Sequence, residues 1–124
     1  MLAEGSRTER LIGLAIEVHR NLGPGLLESV YQTALCFELR QAAIAFECQV
    51  PIPVMYRSQQ IDPGFRADLV VERSILVEIK SVASLLPLHD AQVLTYLRMA
   101  GLSVGLLLNF NVLRLKDGLR RFVR

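Results

Sequence analysis

The sequence predicts an α/β domain with a central mixed sheet flanked by helices. Apolar residues recur at helical spacing over two stretches before residue 45 and again over residues 88–100, whereas residues 46–80 alternate between apolar and polar positions. Repeats of three and four positions are typical of amphipathic helices, and alternation is typical of half-buried strands. Residues 102–110 form a nearly continuous apolar run, which is typical of a strand covered on both faces. A chain of 124 residues suits a single domain over residues 1–124.

The first predicted helix starts with a capping-box pattern, in which Ser6 is followed three residues later by Glu9. An apolar stripe continues as far as Leu22. Gly23 and Pro24 would then end the helix, because glycine favours a helix terminus and proline cannot continue one.

The second predicted helix covers residues 26–43 and carries Glu28 in its first turn. Helical spacing sets Glu28 on the same side as Tyr31 and Leu35, so an acidic group points along an apolar stripe. An acid in the first turn is usually a contact with the helix dipole or a cap. A functional role for Glu28 is the alternative.

The strands begin at Phe46, where the period changes to two. Pro51 and Pro53 lack a backbone N–H and therefore confine this first strand to an edge or an irregular position. Residues 57–60 are typical of a hairpin turn, and residues 61–64 would lead into the central pair of strands.

The centre of the sheet is predicted to be an antiparallel hairpin of residues 65–71 and 75–80, joined at residues 72–74. Period-2 alternation divides each strand into two faces. The residues predicted to share the apolar face of the first strand are Phe65, Ala67, Leu69 and Val71.

The register of this hairpin brings two carboxylates together. Pairing apolar face with apolar face sets Leu69 opposite Val77, so that Asp68 faces Glu78. Opposed side chains lie roughly 4.5–5.5 Å apart at Cβ, a distance at which two carboxylates repel unless a positive charge lies between them. Lys80, on the same face, is one candidate for that charge, and a divalent cation is the other.

Two interpretations of these carboxylates are open at this point. With the Ile79 carbonyl between them, they offer hard oxygen ligands that suit Mg²⁺ or Mn²⁺. Such an ion can activate water and offset charge at phosphorus, while Lys80 orients that water or stabilises the developing charge. The alternative is structural, with the two carboxylates paired to Arg66 and Lys80 on a solvated face of the sheet.

The third predicted helix covers residues 88–100, after Pro87 and before a glycine. His89, Gln92 and Tyr96 share one of its faces. For His89, a capping contact at the helix start is the alternative to a role in a site.

The C-terminus is basic. A hairpin turn signal at residues 116–118 precedes a short last strand. Arginine side chains suit phosphate oxygens, so this segment predicts a nucleic-acid contact, and a solvated polar tail is the alternative. The basic residues are Arg114, Lys116, Arg120, Arg121 and Arg124.

Composition limits the class of protein. Apolar residues make up 52% of the chain, more than one small core readily hides, so we expect a homodimer. No apolar run approaches the roughly 20 residues of a transmembrane helix, and the N-terminus lacks a basic and apolar leader, so we expect a cytoplasmic protein. Cys36 and Cys48 lack metal-site or redox-motif spacing, and we expect both to be reduced packing residues.

The combination of Asp68 with Glu78-Ile79-Lys80 on consecutive strands resembles the PD-(D/E)xK nuclease superfamily, whose fold is an αβββαβ core. Ala67 stands where that motif usually has proline, a position that contributes backbone geometry rather than a ligand. Residues 25–31 resemble the motif of the small GxxExxY proteins, one branch of the superfamily. The similarity covers nearly the whole chain.

The resemblance implies a role for each matching residue. Asp68 and Glu78, with the Ile79 carbonyl, would hold Mg²⁺ or Mn²⁺, and Lys80 would be the catalytic lysine. Glu28 resembles the helical acid that many of these nucleases place beside the metal. The glutamine and tyrosine of the third helix resemble the QxxxY element of the RecB-like branch, which helps hold the site or substrate. The residues with implied catalytic roles are Glu28, Asp68, Glu78, Lys80, Gln92 and Tyr96.

Two functions of different classes follow. The first is a Mg²⁺-dependent phosphodiesterase, a nuclease acting on DNA. The second is a module that keeps the nuclease fold but docks a protein or nucleic acid without cutting it, an idea that the small size of the chain favours. The complete ligand set and Lys80 favour the enzyme.

Overall fold

The computed structural model of the protein describes residues 4–124. Within them the chain forms three α-helices, five strands and one short 3-10 helix. In chain order the elements are α1 (Glu4–Leu22), α2 (Glu28–Gln41), β1 (Phe46–Tyr56), β2 (Gln59–Val71), β3 (Ile75–Lys80), α3 (Pro87–Ala100), β4 (Val104–Asn109), the 3-10 helix (Leu115–Gly118) and β5 (Leu119–Val123).

The five strands form one mixed sheet in the order β1-β2-β3-β4-β5. β1, β2 and β3 are antiparallel neighbours, β3 and β4 are parallel, and β5 is antiparallel to β4. Parallel strands need a crossover connection, and α3 provides it between β3 and β4. The predicted α/β class with a mixed sheet and flanking helices is therefore confirmed.

The helices cover both faces of the sheet. α1 and α2 pack on one face, where they share a core with Ile75, Val77 and Ile79 of β3. α3 packs on the other face, where Leu76 of β3 meets Val93. β3 is therefore buried on both sides.

The first hairpin departs from the sequence prediction in its length. β2 begins at Gln59, so residues 61–64 belong to the strand instead of leading into it. The turn consists of Arg57 and Ser58, whose φ angles of 48° and 67° are both positive, as a two-residue turn matching the twist of the strands requires. β1 is an edge strand, as its prolines predict, and Pro53 lies in a register shift of the ladder.

The side chains of β2 change packing layer near residue 68. Phe65 and Ala67 pack in the α3 core. Leu69 and Val71 pack in the core under α1 and α2, so the prediction that all four share one face is wrong. The physical reason lies in β1, where Gln49 has a positive φ of 50°. A residue with a left-handed backbone interrupts the alternation of side chains along its strand. The alternation along β2 changes at the position opposite Gln49.

Three local predictions also need correction. Ser6 lies inside α1 and does not cap it, because the helix already includes Glu4. α2 begins at Glu28 and has Leu27 at its N-cap, so the helix is shorter than predicted. Residues 116–118 belong to the 3-10 helix, where Gly118 is buried in a close approach to the backbone of Asn109 that leaves no room for a side chain. In the described part of the chain, no helix combines the length and apolar character of a transmembrane span.

The packing of α3 on the sheet depends on Gly105, and this contact yields a stability prediction. A methyl group at this position would lie 2.9 Å from Cγ1 of Val93 and 3.3 Å from the methyl carbons of Leu97. We expect Gly105→Ala to lower the free energy of unfolding by about 1–3 kcal/mol, because α3 must move outward. The matched control is Gly13→Ala in α1, where nothing lies within 4 Å and alanine should stabilise by up to about 1 kcal/mol. Denaturant unfolding measures both, and equal stability of the two variants would contradict the close packing of α3.

Candidate metal-binding site

Asp68 lies at an interruption in the backbone hydrogen bonding of the sheet. Leu69 pairs with Val77, as the sequence predicts, and this is the last pair of the β2–β3 ladder at this end. On the other side of β2, the β1–β2 ladder has no pair between Gln49 and Asp68, although the positions before and after it are paired. The backbone of Asp68 therefore forms no ladder pair with either neighbouring strand, although the β1–β2 register is the same on both sides of it.

Side chains take over the missing hydrogen bonds. The backbone N–H of Ile79 donates to Oδ2 of Asp68 over 2.7 Å. The backbone N–H of Asp68 donates to Oε1 of Glu78 over 3.4 Å. The two carboxylates are thus cross-linked between β2 and β3 in the predicted arrangement, with Asp68 half-buried and Glu78 only 5% exposed.

The buried carboxylate is electrostatically costly. Burial, with a smaller contribution from the charge of Asp68, raises the pKa of Glu78 from its ordinary 4.5 to about 8. Lys80 acts in the opposite direction but does not cancel these effects. Among the described residues, neither Arg66 nor Lys80 forms an ion pair. The interpretation of these carboxylates as ion-paired groups on a solvated face is therefore wrong.

The donor set fits a hard divalent cation. Two carboxylates lie together, and residues 4–124 contain no group of three His, Cys, Asp or Glu side chains arranged to hold a metal. Mg²⁺ is commonly bound by one or two carboxylates because it keeps several of its waters, whereas Ca²⁺ and structural Zn²⁺ sites need more protein ligands. A cation at this position would favour the ionised form of Glu78 beside Asp68.

Glu28 lies in the first turn of α2 and is exposed. The loop before it is attached to the end of β3, because the hydroxyl of Ser81 donates to the carbonyl of Leu26 over 2.6 Å. The start of α2 therefore lies next to the residue that follows Lys80.

Tyr31 fixes the shape of that loop. Its buried hydroxyl donates to the carbonyl of Gly23 over 2.6 Å and accepts from the N–H of Leu26 over 3.1 Å. Its ring stacks on Phe110, with 4.5 Å between the centroids. The hydroxyl and the ring of Tyr31 thus fix the loop that leads into α2 at Glu28.

On the opposite face, α3 brings Tyr96 to the carboxylates. Burial raises the pKa of the Tyr96 hydroxyl, and the charges of Glu78 and Asp68 add to the effect, so this ring lies close to both acids. The ring stacks on Phe65 of β2 with 3.8 Å between the centroids. Gln92, one turn earlier on α3, is half-buried on the same side.

His89 makes a capping contact at the start of α3. Its Nδ1 accepts the backbone N–H of Leu86 over 3.0 Å. The capping alternative predicted for His89 is therefore present in the structure.

Two glutamines at the site were not singled out from the sequence. The amide of Gln49 donates to Oε1 of Gln32 over 2.9 Å and to Oδ1 of Asp68 over 3.4 Å. Gln32 follows Glu28 by one helical turn, and that spacing is the signal that could have indicated it. For Gln49 no signal exists in a period-2 pattern, because its positive φ breaks that pattern.

Asn109 is a third residue that sequence reasoning missed. It is buried at the end of β4, and its side-chain amide bonds both the N–H and the carbonyl of Val82. The polar residue at the end of an otherwise apolar run was the available signal. Asn109 fixes the chain where it leaves β3, directly after Lys80 and Ser81.

The basic residues of the C-terminus do not lie on one surface. Arg120 forms an ion pair with Asp90 of α3, with N–O distances of 2.6 and 2.7 Å. Arg121 is exposed and, by strand alternation, faces the other side of the sheet. Arg114 and Lys116 line a cavity of about 460 Å³ beside the end of α1. The backbone N–H of Arg124 bonds Ser103, at the opposite end of β4 from the carboxylates.

The family comparison agrees with this geometry. The family model of the PD-(D/E)XK nuclease superfamily matches residues 6–122. This chain belongs to that superfamily. The predicted αβββαβ core corresponds to α2, β1, β2, β3, α3 and β4, with α1 and β5 added at its ends. No curated protein and no solved structure matches the chain, and its place in the GxxExxY branch stays a prediction.

The raised pKa of Glu78 predicts an unusual pH dependence of stability. Between pH 4.5 and about 8 the unfolded chain has lost the Glu78 proton while the folded protein keeps it. The metal-free protein should therefore lose stability as pH rises through this window, by at most about 1.4 kcal/mol per pH unit. Denaturant unfolding in the presence of a chelator at several pH values measures the slope.

The control for this prediction replaces Glu78 by its neutral isostere. Glu78→Gln should flatten the slope between pH 5 and 8, whereas Glu47→Gln, an exposed position on β1, should leave it unchanged. A wild-type protein whose stability rises over this pH range would show that Glu78 is ionised in the fold without a metal.

Proposed function

We propose that this protein is a metal-dependent phosphodiesterase, a nuclease that cleaves DNA. The observation that carries the proposal is the buried carboxylate of Glu78 held against Asp68, where the ladders of the sheet are interrupted. Burial beside Asp68 disfavours the ionised form of Glu78, and a cation bound between the two carboxylates would favour it. Membership of the nuclease superfamily supports a phosphodiester bond as the one that is cut.

Asp68, Glu78 and the Ile79 carbonyl would hold Mg²⁺ or Mn²⁺. When bound, such an ion lowers the pKa of water and offsets negative charge at phosphorus. The N–H of Ile79 and the amide of Gln49 each donate to one oxygen of Asp68, so the orientation of this carboxylate is set before a metal binds.

The remaining roles belong to side chains around the carboxylates. Lys80, half-buried two residues after Glu78, would orient the attacking water or stabilise charge on the phosphate oxygens. Glu28 would supply a third acid from the start of α2. The pKa of Tyr96 is raised, so its hydroxyl keeps its proton at neutral pH. This hydroxyl, which lies one helical turn from Gln92, would donate a hydrogen bond to a phosphate oxygen.

We assign the protein to the GxxExxY branch of the superfamily. Gly25, Glu28 and Tyr31 match the motif. The hydroxyl of Tyr31 bonds the loop around Gly25, and this loop is attached to the end of β3 through Ser81. The motif would therefore position Glu28 near the end of β3.

DNA contacts would be divided over the surface. Arg114 and Lys116 line their cavity together with Arg20, which forms an exposed ion pair with Glu17, and the remaining excess of positive charge supports a phosphate contact there. The charge of Arg120 is already compensated by Asp90. Arg121 and Arg124 are exposed and would add weaker contacts.

A homodimer in the cytoplasm completes the proposal. Its support is the exposed apolar surface between α1 and α2, to which Leu22, Val30 and Phe37 contribute.

Metal binding should be visible as stabilisation. Mg²⁺ or Mn²⁺ at a hundred times its dissociation constant should raise the free energy of unfolding by about 2.7 kcal/mol, with a corresponding rise in melting temperature. Asp68→Asn should remove the response, because one of the two carboxylates is lost. Asp62→Asn, an exposed position on β2, is the matched control and should respond as the wild type does. The site would be refuted by a wild-type protein that shows neither a thermal shift nor calorimetric binding at millimolar metal.

Cleavage should depend on Lys80 more than binding does. Lys80→Ala should slow metal-dependent cleavage of labelled DNA roughly 100-fold or more, with little change in metal or DNA affinity. Lys116 is the only other lysine of the chain, and Lys116→Ala should leave the cleavage rate on saturating DNA unchanged. Single-stranded, duplex and branched substrates are compared, with Asp68→Asn as the inactive control.

Two outcomes would contradict this assignment. Loss of DNA affinity equal to the loss of cleavage would make Lys80 a phosphate contact. A wild-type protein that binds metal and DNA but cuts none of the substrates would instead favour the non-catalytic binding module.

A further inference from the structure

Two cysteines lie at neighbouring positions of α2 and the sheet: Cys36 packs in the same core as Leu69, and Leu69 is the ladder partner of Cys48 on β1. Cys36 is buried on α2, and Cys48 is exposed on β1. Burial raises the pKa of Cys36, and the nearby Cys48 thiol adds to the effect. The next residue of β1, Gln49, bonds Gln32, which lies one turn earlier on α2. Two consecutive residues of β1 therefore lie beside two residues one turn apart on the helix.

We propose that Cys36 and Cys48 are a redox-modification site, in which oxidation joins the two sulfur atoms in a reversible disulfide. The bond needs the sulfurs about 2.05 Å apart, and the thiols are already neighbours in the reduced protein. Both cysteines are free in the structure, and oxidation would change their state. Cys36 is a buried packing residue, as the sequence predicts, whereas Cys48 is exposed, so the prediction that it is also a packing residue is wrong.

The exposure of the two thiols sets the order of the reaction. Cys48 is accessible, so its thiolate attacks one sulfur of a small disulfide such as oxidised glutathione, and one glutathione thiol leaves. Cys36 then loses its proton and attacks the Cys48 sulfur, which expels the second glutathione thiol. The protein gives up two electrons and two protons, and the small disulfide is reduced to two thiols. Burial raises the pKa of Cys36, which makes the second step the slower one.

The disulfide would act on the candidate metal site through Gln49. Drawing Cys48 towards α2 moves its neighbour Gln49 towards Gln32 and away from Asp68. The bond from Gln49 to Asp68, at 3.4 Å, is the longer of its two bonds and is the one that would break. Asp68 would lose a donor that orients it, so the oxidised protein should bind metal more weakly. This consequence rests on the proposed function, whereas the disulfide itself does not.

Thiol counting and intact mass test the disulfide directly. After treatment with oxidised glutathione, the wild-type protein should lose both titratable thiols and the mass of two hydrogen atoms, without an adduct, and dithiothreitol should restore them. Peptide mapping should show the Cys36–Cys48 link. A protein that keeps both thiols, or that carries stable glutathione on Cys48, would overturn the proposal.

The single variants test the order of the steps. Cys36→Ser should accumulate one glutathione on Cys48, because no second thiol can displace it. Cys48→Ser should keep its thiol unmodified in the folded protein, because Cys36 is buried. Rapid glutathionylation of Cys36 in Cys48→Ser would reverse the assigned order. The wild-type result decides the proposal even if one variant fails to fold.

The link to the metal site is tested with Mn²⁺ alone. Calorimetry should show a dissociation constant roughly tenfold larger for oxidised than for reduced wild type, and Cys48→Ser given the same oxidant should match the reduced protein. Equal affinities would overturn the coupling through Gln49. A protein that forms the disulfide but binds no metal in either state would refute the proposed metal site and leave the modification site standing.

Discussion

The structure depends on the way in which Asp68 is accommodated in the sheet. At this residue the backbone leaves both neighbouring ladders, and its hydrogen bonds pass to carboxylates: Asp68 accepts from Ile79, and Glu78 accepts from Asp68. A sheet normally satisfies its backbone groups with other backbone groups. Here the gap between β2 and β3 is closed by two acids, and one of them is buried. The site is therefore part of the hydrogen bonding of the fold.

This arrangement explains why so many separate contacts hold the strands and helices around it. The start of α2 is attached to the end of β3 through Ser81, and Tyr31 fixes the loop before the helix. The side chain of Asn109 bonds the backbone N–H and the carbonyl of Val82 and so holds the chain beyond β3. On the other face, Gly105 lets α3 approach β4 closely. Each contact restricts movement of the elements around the two carboxylates.

A site assembled from a strand interruption is sensitive to the elements beside it. Gln49 has a left-handed backbone and bonds both Asp68 and Gln32 of α2. Movement of β1 by a small distance would therefore reach Asp68, a candidate metal ligand, without any change in the carboxylates themselves.

Much of the fold and part of the site could be predicted from the sequence. Alternation between residues 65 and 80 was enough to set Leu69 opposite Val77 and to bring Asp68 to Glu78, because register follows from matching buried faces. The prolines of β1 indicated an edge strand, since a central strand needs every N–H. These features are local, and periodicity and backbone chemistry determine them. Only the tertiary structure decided that Glu78 is buried, that Gln49 contacts Asp68 and that Arg120 is paired with Asp90. The physical reason is that burial and charge pairing depend on which elements pack together, and residues far apart in sequence carry no pattern that fixes their distance.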